Sequence, residues 1–229
     1  DSQTPVVFLG DYIDGAPDSK GVIDLLISFR DARSGETRFL MGNHEQWLLA
    51  SLDDHTKHSW LLSMKGLTTV ASYSPEFDAE LRDTMKRTGP DLITEHKPLP
   101  YDRLEQRMPG PHLSYFRSLE LFYDYEECLC THAGVSKGFT DVHLETPRSL
   151  LWGSDEFPSY YTGERLIVYG HFSKKAIIAD GRVVPFDTGN TICLDTTGHG
   201  VVTAVILPER LFIQSEPFLG YGGTCSEGS

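Results

Sequence analysis

The sequence predicts an α/β fold, because apolar, β-rich runs alternate with stretches whose hydrophobic residues recur at helical spacing. The 229-residue chain contains 39% hydrophobic and 11% aromatic residues, enough to bury a core, and its length suits one domain with an elaborated insert. Four apolar runs are bounded by polar residues or glycine. We expect these runs to be buried strands, at residues 5–9, 37–41, 127–131 and 165–169.

Helical patterns lie between and after these strands. Asp18 or Ser19 is placed to cap a helix after the first strand, and the apolar face of that helix comprises Val22, Ile23, Leu25, Leu26 and Phe29. This order predicts a strand, a helix and a parallel strand, in a sheet that needs helices on its faces. A second helix is expected at about 45–52, and a mostly helical insert or cap at about 53–126.

The last third of the sequence changes to short β-rich runs separated by turn residues. The run at 177–186 is split by Asp180-Gly181, and further runs lie at 192–194, 201–207 and 211–214. This pattern predicts hairpins and an antiparallel sheet. The tail at 220–229 is rich in glycine and serine, and we expect it to be mobile.

The charge and cysteine content limit the classes of partner. The chain has 33 Asp and Glu against 20 Lys and Arg, a net charge of −13 that repels nucleic-acid backbones and anionic membranes. A phosphate site in this chain therefore depends on the charge of metal ions. No apolar run reaches the roughly 18 residues of a membrane-spanning helix. The four cysteines form no Cys-x-x-Cys pair, which predicts reduced thiols and a cytoplasmic protein.

A side chain that can bind metal follows each of the four predicted strands. The strand ends are Gly10-Asp11, Gly42-Asn43-His44, Thr131-His132 and Gly170-His171. In open α/β sheets ligands bind at the carboxyl ends of the strands, so we expect these side chains to converge. A carboxylate, an amide oxygen and two imidazoles suit Mn, Fe or Zn better than calcium. Each residue alone is commonly a cap, turn or surface residue, whereas the four together favour a metal site.

The motifs at these strand ends resemble those of a known family. In chain order they are GDYID at 10–14, GNHE at 42–45, HAG at 132–134 and GH at 170–171. The set resembles the calcineurin-like metallophosphoesterases, most of all the bacterial branch of serine/threonine phosphoprotein phosphatases and diadenosine-tetraphosphatase-like enzymes. The resemblance covers nearly the whole chain. It implies a single domain over residues 1–229, folded as a two-sheet αββα sandwich with a helical insert.

The resemblance also implies which residues hold metal. Asp11 is expected to bridge two divalent ions, which are Mn, Fe or Zn. Asn43, His132 and His171 are expected to complete one of the two metal sites. Such a pair of ions activates a bridging hydroxide, neutralises the phosphate oxygens and keeps the attacking and leaving oxygens in line with the phosphorus.

A catalytic pair is implied beside the metal ligands. His44 is expected to be the general acid toward the leaving oxygen, and Asp14 the carboxylate that steadies it. An alkoxide leaving group needs a proton, and an imidazolium held by a carboxylate stays charged near neutral pH. Glu45 is predicted only to favour the N-terminus of the following helix.

The chain departs from the family pattern at three places. The Asp-x-His motif of the other metal site is expected upstream of GDYID, so the second site is incomplete in this chain. An internal Asp-x-His, at Asp141 and His143, is interpreted as coincidence. Gly15 and the segment 153–155 stand where the family has phosphate-binding arginines, and this loss is expected to weaken phosphomonoester binding or to change the substrate class. Candidate replacements are Lys20, Arg148 and Arg165.

These observations predict a metal-dependent phosphatase that acts on a phosphorylated protein or a small phosphomonoester. A dinucleoside polyphosphate hydrolase is the alternative within the same fold, and the segment at about 53–126 is expected to decide between the two. A weakly active or inactive member that binds phosphorylated partners is the alternative from another class. The absent arginines favour this last hypothesis, and His44 opposes it because that residue serves turnover rather than folding.

Overall fold

The computed structural model describes residues 3–126 and 128–218, and the chain divides into two compact units. The first unit ends at Glu120 and the second begins at Leu121. The tail that we expect to be mobile, at 220–229, lies outside the described residues. The single domain predicted over 1–229 stays a prediction.

The first unit begins with a strand, a helix and a parallel strand. These elements are β1 (Val6–Phe8), α1 (Ser19–Asp31) and β2 (Thr37–Phe39). Val6 pairs with Thr37 and Phe8 with Phe39, so the predicted parallel pair is confirmed. Asp18 caps α1 by accepting a hydrogen bond from the Gly21 amide at 2.9 Å, as the sequence predicts.

The rest of the first unit is helical. The helices are α2 (Asn43–Asp53), α3 (Ser59–Ser63), α4 (Gly66–Tyr73), α5 (Pro75–Thr88), α6 (Asp91–Thr94), α7 (Tyr101–Glu105) and α8 (Gly110–Arg117). Leucine and aromatic side chains make up most of the core of this unit, and Trp60, Phe77, Tyr101 and Phe116 are fully buried in it. The large area of these rings explains how short helices form a stable core.

The second unit is organised around a mixed sheet of five strands in the order β3, β4, β5, β9, β8. Its strands are β3 (Phe122–Asp124), β4 (Cys128–Thr131), β5 (Leu166–Tyr169), β8 (Phe186–Asp187) and β9 (Thr191–Cys193). β4, β5 and β9 are parallel, while β3 and β8 run antiparallel at the two edges. The expected antiparallel pairing is found between β8 and β9, whereas the buried strand β9 also pairs in parallel with β5, which the sequence did not predict.

Two hairpins and one helix complete the described part of the second unit. These elements are α9 (Pro147–Trp152), the hairpin of β6 (Ile177–Ala179) with β7 (Arg182–Val184), and the hairpin of β10 (Thr203–Ile206) with β11 (Leu211–Gln214). Asp180 and Gly181 have positive φ of 51° and 72° at the turn between β6 and β7, so the predicted hairpins are confirmed.

Helices and several sheets together confirm the predicted α/β class. The four runs that we expect to be buried strands correspond to β1, β2, β4 and β5. Within residues 3–126 and 128–218, the helices fall short of the length and apolar character that a bilayer crossing requires.

Candidate active site

The loop after β1 turns sharply and carries two of the predicted site residues. Gly10, Asp11, Asp14 and Gly15 all have positive φ, at 98°, 59°, 71° and 73°. Such values are unusual for aspartate and mark a backbone that its surroundings hold in place. A β-carbon at Gly42 would lie 2.1 Å from Asp11 Oδ1, so glycine at this position allows the loops after β1 and β2 to approach each other.

Glu45 holds these two loops together. Its fully buried carboxylate accepts hydrogen bonds from the Asp11 amide at 3.0 Å, the Tyr12 amide at 2.7 Å and the Gly42 amide at 2.9 Å. Glu45 is the third residue of α2, and its bond to Gly42 is one half of a capping box. The sequence predicts the role of Glu45 at the helix N-terminus. It does not predict the hydrogen bond to the Asp11 amide, because the two residues are 34 positions apart.

His44 and Asp14 form a hydrogen-bonded pair. His44 Nδ1 lies 2.8 Å from Asp14 Oδ2, and the Asp14 side chain is completely buried whereas that of His44 is 25% exposed. Burial has the largest influence on the pKa of His44 and lowers it, but the hydrogen bond to Asp14 and the charges of Asp11, Asp14 and Glu45 outweigh burial and raise the pKa. The imidazole therefore keeps a proton more readily than a free histidine does.

Two predicted metal ligands lie beside this pair in the first unit. Asn43 is the first residue of α2 and is buried, whereas Asp11 is exposed. Asp11 Oδ1 accepts a long hydrogen bond of 3.4 Å from the His44 amide. Within the first unit, His44 thus contacts both Asp11 and Asp14.

The other two predicted ligands lie together in the second unit. His132 follows β4 and His171 follows β5, and His132 Nε2 is 3.2 Å from His171 Nδ1. The Gly170 amide donates to the His132 carbonyl at 2.8 Å, so the two loops are bonded along their backbones. His171 has a φ of 66°, which aims its side chain differently from a residue that continues the strand.

Glycine and aromatic packing shape the wall beside the histidine loops. A β-carbon at Gly134 would lie 2.5 Å from the ring of Phe157, and one at Gly153 would lie 2.4 Å from the Ala133 carbonyl and 3.1 Å from the ring of Phe172. Ala133 and Phe172 each follow one of the two histidines. The chain at Gly153 therefore runs in van der Waals contact with both histidine loops.

A cavity of about 150 Å³ opens along this wall in the second unit. It is lined by Val135, Ser136, Lys137, Ser149, Gly153, Ser154, Glu156 and Tyr160. Two of the candidate replacements for the absent arginines have other partners: Lys20 pairs with Asp24, and Arg165 bonds to Asp124 and the Tyr125 carbonyl. Lys137 is exposed and lines the cavity, so it is the better placed cation.

The predicted ligands of each unit have donor atoms that bind divalent transition metals: Asp11 and Asn43 offer oxygen in the first unit, and His132 and His171 offer imidazole nitrogen in the second. Two nitrogens bound to one tetrahedral ion at about 2.0–2.1 Å lie roughly 3.3 Å apart. The separation of 3.2 Å between the two imidazoles agrees with this spacing.

Comparison with known proteins gives the same family as the motifs. The model of the family "Calcineurin-like phosphoesterase" matches residues 1–186. No match is found among the curated proteins. Ten chains of solved structure match, among them a "putative diadenosine tetraphosphatase" with 16% identity and a TM-score of 0.58, covering 93% of this chain and 81% of that chain.

A second match is a metallophosphoesterase from Sphaerobacter thermophilus, with 15% identity, a TM-score of 0.46 and coverage of 92% of this chain and 77% of that chain. At these identities the solved structures show likeness of fold alone, whereas the family model covers most of the chain and confirms the resemblance of the motifs. The chain therefore belongs to the calcineurin-like phosphoesterase family, which implies a hydrolase that acts on phosphate esters.

Proposed function

We propose that this chain is a metal-dependent phosphatase that hydrolyses phosphomonoesters of a phosphorylated protein or a small molecule. The observation that carries the proposal is the contact of 2.8 Å between His44 Nδ1 and the buried Asp14 carboxylate. Such a pair supplies a proton to a leaving oxygen, which a protein that only binds phosphate does not need. The reduced thiols of Cys130 and Cys193 support a cytoplasmic location.

Two divalent ions of Mn, Fe or Zn are part of the proposal. Asp11, Asn43, His132 and His171 would hold one ion, and Asp11 would also be a ligand of the second. Bound ions of this kind neutralise phosphate oxygens and activate water for attack.

His44 is the general acid in this proposal. Its Nδ1 is engaged by Asp14, so Nε2 is the nitrogen that can donate a proton to the departing oxygen. The raised pKa of His44, which the Asp14 hydrogen bond and nearby carboxylates produce against the opposing effect of burial, keeps that proton available near neutral pH.

Lys137 takes the place of the absent arginines. Lys137 lines the cavity beside Gly153, whose backbone runs against the residues that follow His132 and His171. A lysine binds phosphate as a point charge and without the bidentate geometry of arginine. Lys137→Ala should therefore raise KM for a phosphomonoester more than it lowers kcat, and an unchanged KM would exclude this role.

The metal assignment is tested by elemental analysis of the protein expressed from its complete reading frame. His132→Ala and His171→Ala should each lower the number of transition-metal ions per chain. His143→Ala is the matched control, because His143 lies in an exposed turn where its amide donates to Asp141 Oδ1. Unchanged metal content in both ligand variants would contradict the proposed site.

The acid role is tested by comparing turnover with metal content in one variant. His44→Ala should lower kcat for phenyl phosphate by roughly 100- to 10,000-fold, which is the usual contribution of general acid catalysis, and should leave most of the metal in place. Equal loss of metal and turnover would refute the role. Absence of turnover in the wild-type protein, loaded with Mn, Fe or Zn, would favour the inactive, phosphate-binding alternative.

A further inference from the structure

The Asp14 carboxylate has more hydrogen-bond donors than its pair with His44 requires. Oδ2 accepts from Trp60 Nε1 at 2.9 Å, in addition to its contact with His44. Oδ1 accepts from the Thr69 hydroxyl at 2.5 Å. Trp60 belongs to α3 and Thr69 to α4, so two further helices reach the catalytic pair.

We propose that Trp60 and Thr69 are positioning residues for the general acid. They fix the plane of the Asp14 carboxylate, which in turn fixes the ring of His44. This inference rests on the proposed function, because a general acid has a role only if the chain hydrolyses phosphate esters.

Thr69 is hydrogen-bonded to both the backbone and the side chain of Asp14. Its hydroxyl accepts from the Asp14 amide at 3.0 Å and lies 3.0 Å from Ser19 Oγ, and Thr69 is fully buried. A hydroxyl has one hydrogen, and here that hydrogen goes to Asp14 Oδ1, so Ser19 is the donor to Thr69. These bonds hold Asp14 at its φ of 71°, which an aspartate adopts only under constraint.

Trp60 is prevented from turning away from Asp14. Its ring is fully buried, and a β-carbon at Gly66 would lie 2.6 Å from the indole. The ring of Tyr101 packs at a centroid distance of 6.5 Å. Because close-packed rings lack room to change rotamer, the indole N–H stays aimed at the carboxylate.

The donors also define which atom of the catalytic pair carries a proton. Trp60 and Thr69 can only donate to the Asp14 oxygens in this arrangement, so the carboxylate acts as acceptor and His44 Nδ1 as donor. A carboxylate free to rotate would carry the His44 ring with it. Since proton transfer requires the acid within hydrogen-bond reach of the leaving oxygen, such rotation would slow turnover without changing substrate binding.

Leaving-group dependence tests this inference in the metal-loaded protein. Thr69→Val removes the hydroxyl with little change of volume, and Trp60→Phe removes the indole N–H together with part of the ring. Each variant should lower kcat for phenyl phosphate by roughly 10- to 100-fold, because a poor leaving group depends on the acid. For dinitrophenyl phosphate, whose leaving group needs no proton, kcat should fall by less than about threefold, and KM should hold for both substrates.

Two further variants separate positioning from general damage to the fold. Thr69→Ser keeps the hydroxyl and should restore kcat for phenyl phosphate to within about threefold of wild type. Thr68→Val is the matched control, because the Thr68 hydroxyl accepts from the Gly15 amide at 3.0 Å and donates to the Lys65 carbonyl. Thr68→Val should lower kcat equally for both substrates, if at all.

The possible outcomes distinguish this inference from the proposed function. Wild-type turnover with equal losses on both substrates in Thr69→Val and Trp60→Phe would overturn the inference alone. No wild-type turnover on either substrate would overturn the proposed function and this inference with it.

The indole N–H of Trp60 gives a readout that does not depend on activity. In ¹⁵N-labelled protein, Trp60→Phe identifies the indole N–H signal of Trp60, which should lie downfield because its acceptor is a carboxylate. Asp14→Asn should move that signal upfield. A Trp60 signal that ignores Asp14→Asn would contradict the contact on which the inference depends.

Discussion

The two units hold their predicted site residues in different ways. In the first unit, buried side chains bind the loops: Glu45 accepts three backbone amides, and Asp14 accepts from His44, Trp60 and Thr69. In the second unit, backbone hydrogen bonds and packed rings hold the loops that carry the histidines. The Gly170 amide donates to the His132 carbonyl at 2.8 Å, and Ala133 donates to the Leu150 carbonyl at 2.8 Å.

This difference determines which substitutions each unit tolerates. A buried carboxylate that serves several donors leaves all of them unsatisfied when it is removed, at a cost of about 1–3 kcal/mol for each donor. Loops bonded through their backbones are insensitive to loss of a side chain, but they are sensitive to an added side chain where packing is close. The first unit should therefore suffer most from deletions of polar groups, and the second from additions of atoms at its glycines.

The largest loss in the free energy of unfolding is expected from Glu45→Ala. Three backbone amides lose their buried acceptor, so the free energy of unfolding should fall by about 3–5 kcal/mol in a urea titration of the metal-free protein. Glu45→Gln keeps one acceptor oxygen and should lose less. Glu80→Ala is the control, because this exposed carboxylate pairs only across the surface with Arg103 and should cost less than about 1 kcal/mol. Equal losses for Glu45→Ala and Glu80→Ala would show that the carboxylate does not hold the loops.

A smaller loss in the free energy of unfolding is expected from Gly134→Ala in the second unit. The new methyl group would meet the ring of Phe157 at 2.5 Å, at a backbone φ of 94°. We expect a loss of about 2–4 kcal/mol from overpacking and strain together. Gly138→Ala is the matched control, because Gly138 has a similar φ of 84° with open space around it, and it should lose only about 1 kcal/mol. Equal losses at the two glycines would mean that the backbone, and not the packed ring, limits this loop.

The same difference explains what the sequence can predict. Strands β1, β2, β4 and β5 and the cap of α1 by Asp18 follow from hydrophobic runs and local turn chemistry, which neighbouring residues decide. The motifs also identify His44 and Asp14, which lie in direct contact although 30 positions apart. The roles proposed for them and for the four metal ligands stay predictions.

Long-range partners are what the sequence did not reveal. Thr69 lies 55 positions from Asp14 in sequence, and Trp60 lies 46 positions from it. In sequence, Thr69 is an ordinary polar residue of a helix and Trp60 is part of an apolar helix face, so neither pattern indicates a contact with Asp14. The parallel pairing of β9 with β5 was not predicted for the same reason, because a short buried run does not indicate which strands it pairs with. Tight packing at a single polar group has no periodic signal in sequence.

The hydroxyl of Tyr12 offers a more sensitive comparison of the two units. It accepts from the Gly10 amide at 3.0 Å and donates toward the Leu40 carbonyl at 2.8 Å, joining the ends of β1 and β2. Tyr12→Phe should lower the free energy of unfolding by about 1–2 kcal/mol. In the second unit, Tyr160 donates once, to the Val135 carbonyl, and Tyr160→Phe should cost about half as much. A larger loss at Tyr160 would reverse the comparison.

The smallest loss in the free energy of unfolding is expected from substitution of Asp24, on the surface of the first unit. The hydrogen bonds from Lys20, and then from His112, lower the pKa of Asp24 below its ordinary value of 3.8. A carboxyl with a lowered pKa in the folded state stabilises the protein above the unfolded pKa and loses that contribution as the pH falls through the folded value.

Asp24→Asn should therefore lower the free energy of unfolding by a few tenths of a kcal/mol at neutral pH, since the Asp24 side chain is 53% exposed and solvent weakens the pair. Urea titrations of both proteins at neutral pH and at about pH 3 measure the difference, which should shrink in acid because wild-type Asp24 is then losing its charge. His112 is buried and also contacts the hydroxyl of Tyr73 at 2.7 Å, so the aromatic core keeps it in place in either variant. A difference that grows in acid would contradict the stabilising role of the charged Asp24 carboxylate.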